Sequence, residues 1–164
     1  AESVLDGVIT DLRSEGVEAE RPEFGVMIET PAAAFMADEF VTHVDFFSIG
    51  TNDLAQYVMA AERGNDAVAD LGDFRQPAVL RAIDATTSAA ADTDVWVGMC
   101  GEMAGDPELT ELLVGLGLTE LSMSAVTVPA VKERVSEIDT AAATALAERA
   151  LAAASRDEVT DLLP

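Results

Sequence analysis

An α/β protein assembled from serial βα units is the fold class this sequence predicts, and three observations predict it. Four short, largely apolar runs, FGVMI at 24–28, DFFSI at 45–49, VWVGM at 95–99 and LSMSA at 121–125, are each followed by a helical pattern. The first three runs end in corners of glycine or polar residues and the fourth ends near Ser124, the punctuation of a strand handing over to a helix. Of the 164 residues, 49% are apolar, enough for one good core. Runs this apolar, without clean alternation, read as strands buried on both faces of a parallel sheet.

The leading element is an amphipathic helix over 2–15, with Val4, Leu5, Val8, Ile9 and Leu12 at helical spacing and Gly16 as its stop. An acidic loop reaches Pro22 and leads into the first strand. Pro31 suits the first turn of a helix over 32–42. His43, the only histidine, comes at the N-terminal end of the second strand. That end is the stability side of a βα fold, so His43 reads as structural or solvent-facing. The second strand turns at Gly50 and Thr51, and Thr51 or Asn52 can cap a helix running from Asp53 toward Glu62. A polar excursion over 63–76 is longer than an ordinary βα link and suggests a functional loop. Pro77 opens a helix over 77–91 with Val79, Leu80 and Ile83 inward. Pro107 begins a helix over 107–116, and Pro129 opens another over 129–137. An alanine-rich helix over 140–153 and a short acidic helix capped by Ser155 follow.

Acids outnumber bases 31 to 9, for a formal net charge of −22, and Lys132 is the only lysine. Such a surface repels nucleic acid and anionic membranes, so neither is an expected partner. A solvating acidic surface almost free of lysine suggests a halophilic protein of a high-salt cytoplasm, where screening blunts self-repulsion. A single cysteine, Cys100, rules out an internal disulfide and fits a reducing cytoplasm. No apolar run approaches the roughly 18 residues of a membrane span. Ala1 stands where a helix is already under way, so the chain is expected to be a piece of a longer polypeptide.

Serial βα units give parallel neighbours, and their strand ends gather on one face. There stand Glu29, Asn52, Asp53 and Cys100, with Ser122 and Ser124 near the fourth corner and Arg63 able to fold back to the rim. Two carboxylates from different strands, beside an amide, make a hard-oxygen site. It suits Mg²⁺ (or Mn²⁺), with positions left for water and an oxyanionic substrate. In so acidic a chain the metal and Arg63 would offset the repulsion between carboxylates and an anion. The plainer reading makes Glu29 and Asp53 ordinary helix caps. Cys100 at the rim is a candidate proton donor or nucleophile, set against the buried core position more usual for a lone cysteine. Four units are half of a (β/α)₈ barrel, and half a barrel leaves two edge strands to be covered.

The stretches GVMIETPAAA (25–34), DFFSIGTNDLAQY (45–57), ERGN (62–65), GMCGEMAGDP (98–107) and GLGLTELSMSA (115–125) resemble the phosphoenolpyruvate-protein phosphotransferases, enzyme I of the sugar phosphotransferase system. The resemblance runs continuously from 20 to about 138. Pyruvate phosphate dikinase and phosphoenolpyruvate synthase share the E-x-P, GTNDL and CGE elements and are the alternative, as is a non-catalytic binding fragment of either. The RGN segment, the Met before CGE and the SMSA strand match enzyme I better.

The resemblance implies a phosphoenolpyruvate-binding (β/α)₈ TIM barrel. Residues 1–164 would be its last four βα units plus C-terminal helices, with the first half and a phosphohistidine domain outside this chain. By matching position, Glu29 and Asp53 would hold Mg²⁺, and Asn52 with the adjacent backbone would contact the substrate phosphate. Arg63 would clamp the transferring phosphoryl group, and Cys100 would protonate the enolpyruvate carbon to give pyruvate. The family passes the phosphoryl group to its own N-terminal histidine and then to a small phosphocarrier protein, and it dimerises through this C-terminal domain. The departures are specific. His43 does not occupy the phosphoacceptor motif, and the substrate-binding arginines of the first four strands are absent. The proline-rich piece after RGN is thinned to DLGDFRQPAVL. Alone, the chain is expected to be inactive.

Overall fold

The computed structural model describes residues 1–62 and 64–164. Its strands are β1 (Gly25–Ile28), β2 (Phe46–Gly50), β3 (Trp96–Cys100) and β4 (Glu120–Ser122). They form one open sheet in the order β1-β2-β3-β4, with every neighbouring pair parallel. The serial βα order read from the sequence is therefore the order of the sheet, with β1 and β4 as its edges.

Helix α1 (Glu2–Ser14) precedes the sheet, and α2 (Pro31–Phe35) and α3 (Ala37–Phe40) follow β1. Next come α4 (Thr51–Met59) and α5 (Pro77–Ala90) after β2, and α6 (Thr110–Gly115) after β3. After β4 run α7 (Val128–Glu137), α8 (Thr140–Ala152) and α9 (Arg156–Thr160).

Away from the strand-end corner at Gly50, three boundaries differ by more than a residue from those the pattern predicts, each for a local reason. The helix expected over 32–42 is split at Met36, whose φ of −108° and ψ of 13° leave the helical well. The helix expected from 107 starts at Thr110. Before it, Asp106 Oδ1 accepts the Glu108 N–H at 2.9 Å and holds the chain in a turn. The strand expected to 125 stops at Ser122, because Thr127 folds back to bond the Ser124 carbonyl through both its N–H and its hydroxyl. The Ser155 cap is as expected. Its Oγ accepts the Glu158 N–H at 3.2 Å, and Glu158 reaches back to the Ala154 N–H at 2.9 Å.

The sheet has one covered face and one open face, not the two buried faces expected. Ile28, Phe47, Ile49, Val97 and Met99 are at most 3% exposed and lie under Val79, Leu80 and Ile83 of α5 and Leu112 and Leu113 of α6. Helices α8 and α9 extend this core with Ala147, Ala150 and Val159. On the other face Met27 is 45% exposed, and Phe46, Ser48, Trp96 and Cys100 are only half-buried. Apolar residues on both faces made the runs look buried throughout. No helix of the described residues covers the second face, where Phe46 and Trp96 stack with ring centroids 4.6 Å apart.

His43 is exposed, with Nδ1 3.5 Å from Glu2 Oε2, which fits the structural reading. Beside it Arg21 faces Glu2 at 3.4 Å, Asp6 at 3.7 Å and Asp45 at 3.4 Å, tying α1 to the start of β2.

Candidate functional site

The register lines up the C-terminal ends of the strands. Gly50 pairs with Cys100, and Cys100 with Ser122. Ile28 pairs with Ile49, so Glu29 comes beside Gly50 in the same row. Gly50 lacks a side chain for a steric reason: a Cβ there would lie 3.1 Å from Glu29 Cβ, 3.2 Å from Glu29 Oε2 and 3.3 Å from Met27 Sδ. The Glu29 carboxylate thus lies over the end of β2, just ahead of α4.

Helix α4 begins at Thr51, two residues before the expected start. Its N-cap is Gly50, which offers no side-chain cap. The first-turn N–H groups therefore point out of the strand end without a capping side chain, a geometry that attracts anions. Neither Thr51 nor Asn52 serves as the cap that the sequence suggested, because both are inside the helix. Asn52 Oδ1 is buried and finds no hydrogen-bond partner among the described residues. An orphaned amide oxygen costs stability, and turning the amide over presents its two N–H donors at the same spot. Asn52 and Glu102 line two adjoining cavities. The first, of 230 Å³, also has Gln56, Glu62 and Phe74 in its wall. The second, of 520 Å³, includes Gly101, Ser122 and Ser124.

Cys100 ends β3 on the open face, not in the core. Ser48 Oγ donates toward its Sγ at 3.9 Å, and Sγ–H points to Met27 Sδ at 4.0 Å. Behind it, Gly101 has φ +111°, a conformation open to glycine, and turns the chain sharply toward Glu102. The buried Thr51 hydroxyl donates to the Cys100 carbonyl at 3.2 Å.

The structure thus gathers Glu29, Asn52, Asp53 and Cys100 at three adjacent corners. Asp53 is half-buried in the first turn of α4. Arg63 lies outside the described residues. Among the described residues no cluster of three or more His, Cys, Asp and Glu forms a metal cage. Ser48, Met27 and Thr51 were missed as site residues. Ser48 and Met27 lie two positions before the corners at Gly50 and Glu29, so period-two alternation alone places them on the site's face.

A four-stranded parallel sheet that presents carboxylates, an amide and a thiol at its strand ends places its polar groups at the end where open α/β sheets bind ligands. Residues 1–140 match the family described as PEP-utilising enzyme, PEP-binding domain, and the chain belongs to that family. Among its relatives is the phosphoenolpyruvate-protein phosphotransferase of Haloferax volcanii, 73% identical over 159 residues, covering 97% of this chain and 28% of that protein. The protein of the same name from Streptococcus equinus is 46% identical over 164 residues, 99% of this chain and 28% of its own length. That of Staphylococcus carnosus is 43% identical over 164 residues, 99% of this chain and 29% of its own length. The chain therefore spans less than a third of these curated relatives. Their shared name agrees with the resemblance read from the five motifs.

Proposed function

We propose that the chain is the part of a phosphoenolpyruvate-protein phosphotransferase that holds the phosphate end of phosphoenolpyruvate and protonates the enolate. The observation that carries this reading is the row of corners at β1, β2 and β3, with the orphaned Asn52 amide beside the thiol-bearing strand end. The substrate phosphate sits at the N-terminus of α4, where backbone N–H groups and the Asn52 amide meet it. Glu29 and Asp53 would hold Mg²⁺, since their oxygens fit a hard cation that completes its shell with water and substrate. Bound there, the ion supplies positive charge against the developing phosphoryl charge. By its match to the family motif, Arg63 would add a second cation for the phosphoryl group. The phosphoryl group leaves the enol oxygen for a histidine nitrogen of another domain. The Cys100 Sγ–H then gives its proton to the enolate carbon to form pyruvate, and the thiolate regains a proton from water.

The open face and bare edges support a (β/α)₈ barrel completed by chain beyond these residues. At one edge Met27 of β1 is exposed, and Val4 and Val8 of α1 are exposed as well. At the other, Met123, Val128 and Val135 line an apolar groove of 470 Å³ beside β4 and α7. Half a barrel would leave such surfaces uncovered. The partners proposed with this reading are a phosphocarrier protein and a second copy of the full-length chain, and the compartment is a high-salt cytoplasm. No helix of the described residues is long and apolar enough to cross a membrane.

The test uses the full-length protein with phosphoenolpyruvate, Mg²⁺ and the phosphocarrier protein as phosphoryl acceptor, reading pyruvate through a coupled lactate dehydrogenase. Cys100→Ala should cut pyruvate release by about 10²–10⁴-fold and leave phosphoenolpyruvate binding close to wild type. Undiminished turnover would remove Cys100 as the acid.

A further inference from the structure

We propose that Thr51 is a positioning residue: its hydroxyl fixes the Cys100 thiol relative to the phosphate-binding corner at Asn52. The inference rests on the phosphotransferase reading above and assigns a part of that site which the sequence reading passed over. Thr51 is completely buried, so its hydroxyl does not reach the substrate. It donates instead to the Cys100 carbonyl, from the first residue of α4 to the last residue of β3.

The direction of that bond sets Thr51 apart. Two other fully buried threonines, Thr86 and Thr110, donate to carbonyls four residues earlier, at Ala82 and Asp106. Those are the ordinary local bonds of a helical threonine. Thr51 bonds across 49 residues of sequence to another strand.

It does so where the sheet stops holding the two strands together. Gly50 and Cys100 are the last paired residues of β2 and β3. Beyond them the chain leaves at Gly101 with φ +111°. Gly101 then packs directly on the tie, since a Cβ there would come within 2.6 Å of Thr51 Oγ1 and 3.5 Å of Asn52 Oδ1. One stiff, β-branched side chain therefore braces the backbone that carries the acid and stands next to the residue that meets the phosphate. Proton transfer needs its atoms within about 3–3.5 Å, and a displacement of about 1 Å costs on the order of 10²-fold. Asn52 itself belongs to α4 and keeps its place without the hydroxyl, so the loss should fall on the chemical step and not on binding.

The experiment compares full-length wild type with Thr51→Val, which keeps the shape but not the hydroxyl, and Thr51→Ser, which keeps the hydroxyl. Steady-state pyruvate release is measured with phosphoenolpyruvate, Mg²⁺ and an excess of the phosphocarrier protein as phosphoryl acceptor, in H₂O and in D₂O. For Thr51→Val we expect kcat to fall about 10²-fold. KM should stay within about threefold of wild type, as for a loss confined to the transition state. The solvent isotope effect should rise as proton transfer becomes limiting, and Thr51→Ser should recover most of kcat. The isotope effect is a ratio over active molecules, so a misfolded fraction does not move it. Wild-type kcat in Thr51→Val overturns the proposal, and so does a lower kcat with an unchanged isotope effect, which would leave Thr51 a role in folding alone. If wild type releases no pyruvate, the phosphotransferase reading fails and the Thr51 role with it. Wild-type turnover with an indifferent Thr51→Val fails the Thr51 role only.

Discussion

Replacing Gly101 with alanine is expected to destabilise the domain that holds this chain by about 2–4 kcal/mol. Backbone strain is the first part. At φ +111° an L side chain is in a sparsely populated region, at a cost of about 1–3 kcal/mol. Contact is the second part. The new Cβ would sit 2.6 Å from Thr51 Oγ1, and the fully buried Thr51 has little room to yield. Relief requires giving up the bond from Thr51 to the Cys100 carbonyl, about 1 kcal/mol more. The assay is urea unfolding of the full-length protein, followed through the transition of this domain. Gly7→Ala serves as the control. Gly7 lies inside α1, a Cβ there meets nothing within 4 Å, and alanine should add about 0.5–1 kcal/mol by its helix preference. One substitution at two glycines should therefore move stability in opposite directions. A Gly101→Ala protein within about 0.5 kcal/mol of wild type, the range of an indifferent surface change, would refute both the strain and the packing.

Two further outcomes test the charges. Asp53→Asn removes one of two carboxylates proposed for Mg²⁺. A unit charge about 4 Å away at an effective dielectric of about 20 is worth some 4 kcal/mol, so affinity should drop at least about 100-fold. Titration calorimetry that finds unchanged Mg²⁺ affinity would remove Asp53 from the ligand set. With a net charge of −22 on this chain, the thermal midpoint of the domain that holds it should climb with KCl. The screening length shortens from about 10 Å at 0.1 M to about 3 Å at 1 M. A midpoint indifferent to salt would discard the high-salt reading.

Much of this architecture was legible because its punctuation is strong. Glycine or proline stands at or near three of the four strand exits, at Pro31, Gly50 and Gly101, and the apolar runs between are short enough to be strands. Ser155 announced its cap, and Pro77 its helix. The identity of the covered face was not legible. Met27, Phe46 and Trp96 are as apolar as Ile28, Phe47 and Val97, so composition does not separate the open side from the covered one. The start of α4 was misplaced because Gly50 takes the cap position without a side chain to signal it. The tie from Thr51 to Cys100 was out of reach for a different reason. It depends on strand register, which brings together residues that no local pattern connects. The Asp106 turn that delays α6 came from a single carboxylate, a competition too local for helical periodicity to reveal.

The two faces of the sheet also set different terms for change over generations. Residues such as Ile28, Phe47, Ile49, Val97 and Met99 answer to folding, because helices press on them from one side. Their alternate neighbours, Met27, Ser48, Cys100 and Ser122, lie on the open face and, under the proposed function, answer to chemistry and to whatever closes over that face. Because alternation separates the two sets residue by residue, a lineage can exchange Ser48 or Met27 and retune the thiol's surroundings with the helix-covered core left as it was. Conversely, that core can drift in size and shape while the corners keep their spacing, since the backbone ladder and not the packing fixes which residues stand side by side. Innovation and robustness are thereby assigned to opposite sides of one sheet.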